Sequence, residues 1–161
     1  MDINANHSML IEAMSKLETQ NPADVYFSII NTNITVLDES SSEYKVIKDS
    51  VYNTVADEHK FLLRVDAIYE VNKPLYDIKY KSFEKLGNKH MLFHGTRLSN
   101  LVSILKNGLK IAPLEAQVTG HMFGKGIYFA DVSSKSANYC HATKENPVGI
   151  LLLCEVALGN V

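Results

Sequence analysis

Apolar residues recur along this chain in two periods, and the switches between them outline its elements. Met9, Leu10, Ala13, Met14 and Leu17 fall on one helical face, and Ser8 stands as N-cap; the spacing predicts a short helix over 9–18. Asn21-Pro22 breaks it. Residues 25–37 read as strand-rich, ending in Ile34-Thr35-Val36-Leu37. Ser40-x-x-Glu43 forms a capping box, and Tyr44, Ile47, Val51 and Val55 continue a second helix at helical spacing. From Phe61 to Val71 the period drops to two, which predicts a half-buried strand. Residues 72–90 are polar and contain Pro74; they read as loop with a short helix around Phe83 and Leu86.

Met91-Leu92-Phe93 is a short predicted strand running into His94-Gly95. Leu98, Leu101, Val102 and Leu105 make a helix closed by Gly108. A long loop spans 112–125, Ile127–Ala130 read as a strand, and Asp131 caps a helix reaching about His141. After the turn at Asn146–Gly149, the run from Gly149 to Val156 is apolar enough for a central strand buried on both faces. Interspersed strands and helices place the chain in the α+β class.

Composition narrows the function classes. A length of 161 residues and a hydrophobic fraction of 46% fit one globular domain. The net charge of -2 is spread along the sequence, with no basic stripe to hold a phosphate backbone, which argues against direct nucleic-acid binding by this segment. No apolar run is long enough to span a bilayer, and the polar N-terminus does not read as a signal peptide. Cys140 and Cys154 lack metal or disulfide spacing and read as reduced, partly buried thiols of an intracellular protein.

Candidate chemistry concentrates after position 90. His94 followed by Gly95 reads either as a structural histidine beside a turn or as a place where a ligand meets the backbone closely. Gly120–Gly126 invites a nucleotide reading but has one residue too few between Gly120 and Gly124 for a P-loop, and it precedes a strand where a Rossmann turn would follow one. Tyr128 and Tyr139, on a strand and the next helix, are either two core tyrosines or the walls of a slot for a flat heteroaromatic ring. Asp131, His141 and Glu155 have no metal-ligand spacing and read as a cap, a helix-terminal cation and a strand residue, so no metal site is expected. Lys125 and Lys135 are isolated cations.

Together these segments resemble a known family. Leu92-Phe93-His94-Gly95-Thr96-Arg97, Asn107 to Pro113, Gly124 to Asp131 and Ser134 to Cys140 are similar to the histidine motif and signature of poly(ADP-ribose) polymerase catalytic domains, and Gly149 to Asn160 to the strand that follows. The resemblance is specific over 91–160, collinear over about 25–90, and nearest to the nuclear, DNA-damage-responsive members. It implies an ADP-ribosyltransferase fold with mostly antiparallel sheets and flanking helices, occupying 23–161. Residues 1–22 become a helix and linker, a candidate remnant of a regulatory helical domain.

The resemblance also implies roles. Gly95 binds the nicotinamide carboxamide through its backbone, with Ser136 adding a hydroxyl; Tyr139 stacks on the ring and Tyr128 closes its other side. His94 holds the adenine ribose, and Thr96 stands at a neighbouring ribose position usually held by serine. Phe129 and Ala130 complete the donor-binding set. Asn100 and Lys110 lie where the family meets the adenosine end. His94, Tyr128 and Lys135 make the catalytic set, Lys135 lying beside the reaction centre. NAD is the substrate, no metal is involved, and proteins and ADP-ribose chains are the acceptors. Nucleic acid is met only through domains outside this chain, no membrane is involved, and the location is nuclear. The family's ribose-acting glutamate is expected downstream of Val161, making the domain C-terminally incomplete, and Glu155 belongs to an earlier strand. That leaves a transferase seen in part as the first reading and an inactive NAD-binding or interaction module as the second. An RNA 2′-phosphotransferase on a related fold is a third, without the basic residues it needs.

Overall fold

The computed structural model of the chain describes residues 11, 15, 21–111 and 122–160. Ile11 and Ser15 have helical backbone; the rest of the helix expected over 9–18 lies outside the described residues, as do 112–121 of the expected loop. The chain divides into two compact units, one of 1–33 with 99–127 and one of 34–98 with 128–161.

In the first unit, helix α1 (Pro22–Ile30) replaces the strand expected from residue 25. Asn21-Pro22 starts this helix: the Asn21 side chain accepts from the Ala23 N–H at 3.0 Å, and proline fits the first turn because no intrahelical partner awaits its missing N–H. Val25 and Ile29, one turn apart, are buried. Helix α4 (Leu101–Asn107) contributes buried Leu105 and ends at Gly108, whose φ of 82° needs no Cβ and whose N–H donates to the Ile104 carbonyl, as the sequence predicts. Thr32, also buried, hydrogen-bonds the Leu105 carbonyl at 2.9 Å and so ties the end of α1 to α4.

The second unit holds the sheets. Strand β1 (Asn33–Val36), whose first residue belongs to the first unit, pairs with β2 (Tyr69–Asn72). Only the last third of the expected 61–71 strand is a strand; Phe61, Leu63 and Val65 alternate with exposed Leu62, Arg64 and Asp66 but lie outside any ladder. Helix α2 (Ser42–Asn53) is capped one residue later than expected, by Ser41, whose hydroxyl accepts from the Tyr44 N–H at 3.1 Å; the Ser40 N–H is taken by Asp38. Helix α3 (Pro74–Tyr80) again begins at a proline, in a stretch expected to be loop, and a 3-10 turn over Glu84–Leu86 matches the short helix expected there.

Strand β3 (Lys89–Thr96) runs antiparallel to β4 (Ile150–Ala157), with Phe93 opposite Leu153 and Gly95 opposite Leu151. Most of β4 is half-buried, not buried on both faces as its apolar run predicts, because among the described residues it has one partner strand. The strand expected at 127–130 shrinks to a single bridge: Phe93 N–H donates to the Ala130 carbonyl at 2.8 Å and Ala130 N–H donates back at 2.9 Å. Helix α5 (Ser133–Ala137) continues as a 3-10 turn, Asn138–Cys140, and ends at His141 in the left-handed region. Asp131 is exposed and does not cap it; the N-cap position falls on Val132, which has no side chain for the task. Mixed helices and antiparallel pairing confirm the α+β class.

Candidate functional site

The bridge at Phe93 sets the geometry of the site. In an antiparallel ladder, alternate residues turn their N–H and C=O toward the partner strand or away from it. Phe93 spends both groups on Ala130, so it faces away from β4. Gly95 has the same parity, and its N–H and C=O point along the edge that β4 does not occupy. A donor and an acceptor side by side match the acceptor and donor of a primary carboxamide. The side chains of His94 and Thr96 project together from one face of the strand, Thr96 buried and His94 half-buried.

The structure gives Gly95 a reason that the sequence did not. A Cβ at this position would stand 1.7 Å from the backbone oxygen of Ser136. The close approach that requires glycine is thus made first by α5 itself. The Ser136 hydroxyl is buried and donates to the Phe93 carbonyl at 2.9 Å, fastening α5 to β3 on both sides of His94. As a donor it is engaged; its lone pairs remain to accept.

His94 is oriented by its neighbour across the bridge. Its Nδ1 lies 2.9 Å from the Tyr128 carbonyl oxygen, an atom that only accepts, so Nδ1 carries the proton. Neutral His94 then presents Nε2 as an acceptor, suited to a sugar hydroxyl. The Phe129 ring leans on the imidazole, with centroids 5.7 Å apart and planes at 58°.

The second unit thus carries His94, Gly95, Thr96, Tyr128, Phe129, Ala130, Lys135, Ser136 and Tyr139 on β3, the segment around its bridge, α5 and the 3-10 turn that follows it. The tyrosines are not core residues: Tyr128 is 36% and Tyr139 50% exposed. Lys135 is exposed on α5. Asn100, half-buried at the end of a 3-10 turn (Leu98–Asn100), and exposed Lys110 belong to the first unit. Glu155 is a strand residue, as expected, and pairs with Lys89 at 3.4 Å. Among the described residues, no group of three His, Cys, Asp or Glu side chains could hold a metal ion, and no helix is long and apolar enough to cross a membrane.

Sequence reasoning missed the residues that seat α5. Ser133 and Ser134 have no exposed surface. The Ser133 hydroxyl donates to the Val51 carbonyl at 2.6 Å, and its N–H donates to Thr54 Oγ1 at 3.1 Å. Ser134 Oγ accepts from the Ala56 N–H at 2.9 Å and lies 2.7 Å from His59 Nδ1. Thr54, just past α2, thus does the work expected of Asp131 by satisfying the first N–H of α5, and the two serine side chains fasten that start to residues 51–59. Three serines within four positions at a helix start were the available signal. At the other end of the helix, Cys140 Sγ reaches the Ile150 carbonyl at 3.2 Å.

A family model described as the poly(ADP-ribose) polymerase catalytic domain matches residues 41–161. The whole chain is 45% identical to poly [ADP-ribose] polymerase 1 of Gallus gallus, 47% identical to that of Xenopus laevis, and 46% identical to poly [ADP-ribose] polymerase of Sarcophaga peregrina. In each case it spans 16% of the relative's length.

Proposed function

The chain belongs to the poly(ADP-ribose) polymerase catalytic-domain family, and from that premise we propose that it takes part in NAD-dependent ADP-ribosyl transfer, with its second unit holding the nicotinamide end of NAD. The observation that carries this reading is the outward-turned N–H and C=O of Gly95, held by a helix that only glycine lets so close. These groups hold the carboxamide, Ser136 stands beside them, and the exposed rings of Tyr128 and Tyr139 close on the pyridine ring. His94 Nε2 accepts from a hydroxyl of the adenine ribose, with Thr96 beside it. Phe129 and Ala130 hold the bridge in place. Asn100 and Lys110 serve the adenosine end.

In the reaction the bond between the ribose C1′ and the nicotinamide nitrogen breaks. Nicotinamide leaves with the bonding pair as a neutral ring, and an acceptor oxygen bonds to C1′ and loses its proton. Binding that is equal in ground and transition states does not speed this step. Its rate depends on orientation, from the residues above, and on a group acting at the ribose 2′-hydroxyl and the acceptor. The resemblance assigns that group to a glutamate outside 1–161. The resemblance assigns exposed Lys135 to the neighbourhood of the reacting ribose; a charged ammonium takes up no proton and disfavours a developing cation, so it serves the donor phosphates or the acceptor instead. Protein side chains and growing ADP-ribose chains are the acceptors, the setting is nuclear and linked to DNA damage, and residues 23–161 are the transferase portion with 1–22 preceding it; these parts rest on family membership.

The test is incubation of labelled NAD with a protein acceptor and either residues 1–161 or a version extended through the expected glutamate. Label should reach the acceptor, with equal release of nicotinamide, only with the extended version. Efficient transfer by 1–161 alone would overturn the assignment of the ribose-acting group.

A further inference from the structure

Helix α5 carries Lys135 and Ser136 and leads into Tyr139, yet it is five residues long and its N-cap position, Val132, offers no side-chain cap. An isolated helix of that length does not hold itself together. Its position is fixed by what it is bonded to. On one side Ser136 lies against Gly95 and Phe93. On the other, the buried pair Ser133 and Ser134 meets the segment 51–59.

Within that segment the roles can be assigned atom by atom. Thr54 Oγ1 donates to the Ser50 carbonyl at 2.8 Å and accepts from Ser133 N–H. Ser134 Oγ uses one lone pair on the Ala56 N–H. Its own hydrogen needs an acceptor, and His59 Nδ1 at 2.7 Å is that acceptor. The ring proton of His59 is therefore on Nε2. Phe61 stacks on the imidazole, with centroids 5.9 Å apart and planes at 20°, and holds it in that orientation.

We propose that His59, acting through Ser134, is a positioning residue for the nicotinamide pocket: it fixes the seat of α5 and thereby the distance between Ser136 and the Gly95 edge. This rests on the reading of Gly95 as the carboxamide contact. His59 touches neither donor nor acceptor and takes no part in the chemistry.

The test titrates benzamide, as a carboxamide probe, into the protein and into His59→Ala, His59→Asn and Ser134→Ala variants by calorimetry, with amide hydrogen exchange followed over 133–140. Leaving the buried Ser134 hydroxyl or the Ala56 N–H without its partner should raise the benzamide Kd about tenfold in His59→Ala and Ser134→Ala. Exchange should quicken within 133–140 and not along β3 and β4. Asparagine keeps an acceptor oxygen in the place of Nδ1, so His59→Asn should return to within about twofold of the unmodified protein. If Ser134→Ala fails to fold, the His59 pair carries the test, because His59 is only half-buried. An unchanged Kd in His59→Ala, or a loss in His59→Asn equal to that in His59→Ala, overturns the relay while leaving the pocket standing. An unmodified protein that does not bind benzamide overturns the pocket itself, and the positioning role falls with it.

Discussion

The inner wall of the candidate pocket and its two aromatic walls are built in opposite ways. The inner wall is closed: Ser136 is 4% exposed, Ser133 and Ser134, which anchor its helix from the other side, are 0% exposed, and the Ser136 oxygen leaves no room for a side chain at Gly95. The tyrosines are open, at 36 and 50% exposure for Tyr128 and Tyr139. A backbone donor–acceptor pair discriminates only if it cannot move, so burial and short hydrogen bonds suit it. A ring that stacks on a ligand gains from area covered on binding, so its exposure beforehand is what makes it useful. Substitutions on the two walls should therefore fail differently.

The largest effect is expected at the closed wall. Gly95→Ala places a methyl group inside the Ser136 carbonyl, and α5 must move or β3 must bend. The expected cost is about 3 kcal/mol or more in stability, with benzamide affinity lost; thermal unfolding and calorimetry would show both. Tyr139→Ala removes a ring from the open wall. Benzamide should bind more weakly by about 1–3 kcal/mol, as for aromatic–base stacking, while the melting temperature stays within a few degrees. Equal destabilisation by the two variants would erase the distinction between the walls.

His94→Ala probes the junction between them. It removes an Nδ1–H bond to Tyr128 and an acceptor for a ribose hydroxyl. Affinity for NAD should fall by about 1 kcal/mol, and benzamide, which has no ribose, should bind within about twofold of its usual strength. A parallel loss for both ligands would assign His94 to the carboxamide end. The smallest effect is expected at the thiols. Burial pushes Cys154 up to about 11 and raises Cys140 as well. A raised thiol stays protonated until the pH approaches its pKa, so at pH 8 little Cys154 thiolate exists. Alkylation of Cys154 should run on the order of 100-fold slower than for a free thiol and speed up as the pH rises toward 11. Rapid labelling at pH 8 would show that β4 opens.

Much of this was legible where the determinants are local. The apolar run at 150–157, the glycine after α4 and the short apolar run Met91–Phe93 into His94 each specify their element through near neighbours. Pro22 and Pro74 misled because proline ends one helix and opens the next by the same missing N–H. Asp131 misled because the groups that seat α5 come from Val51, Thr54, Ala56 and His59, which lie far away in sequence and meet Ser133 and Ser134 only in the fold. Gly95 was legible as a close approach, but not that the approaching atom belongs to the protein. The motif around His94 and the Ser134–Tyr139 segment identified the family from sequence; the edge orientation of Gly95 required the register of β3 with β4.

That orientation is the central claim, and glycine-selective 15N NMR tests it most directly. Benzamide and methyl benzoate differ at the group that should donate to the Gly95 carbonyl. Titration with benzamide should shift the Gly95 amide saturably and leave Gly159, at the far end of the β3–β4 ladder, in place. Methyl benzoate should bind at least about tenfold more weakly, for want of that donor. A Gly95 resonance that does not move with benzamide, or moves equally at equal concentrations of the ester, would contradict the account.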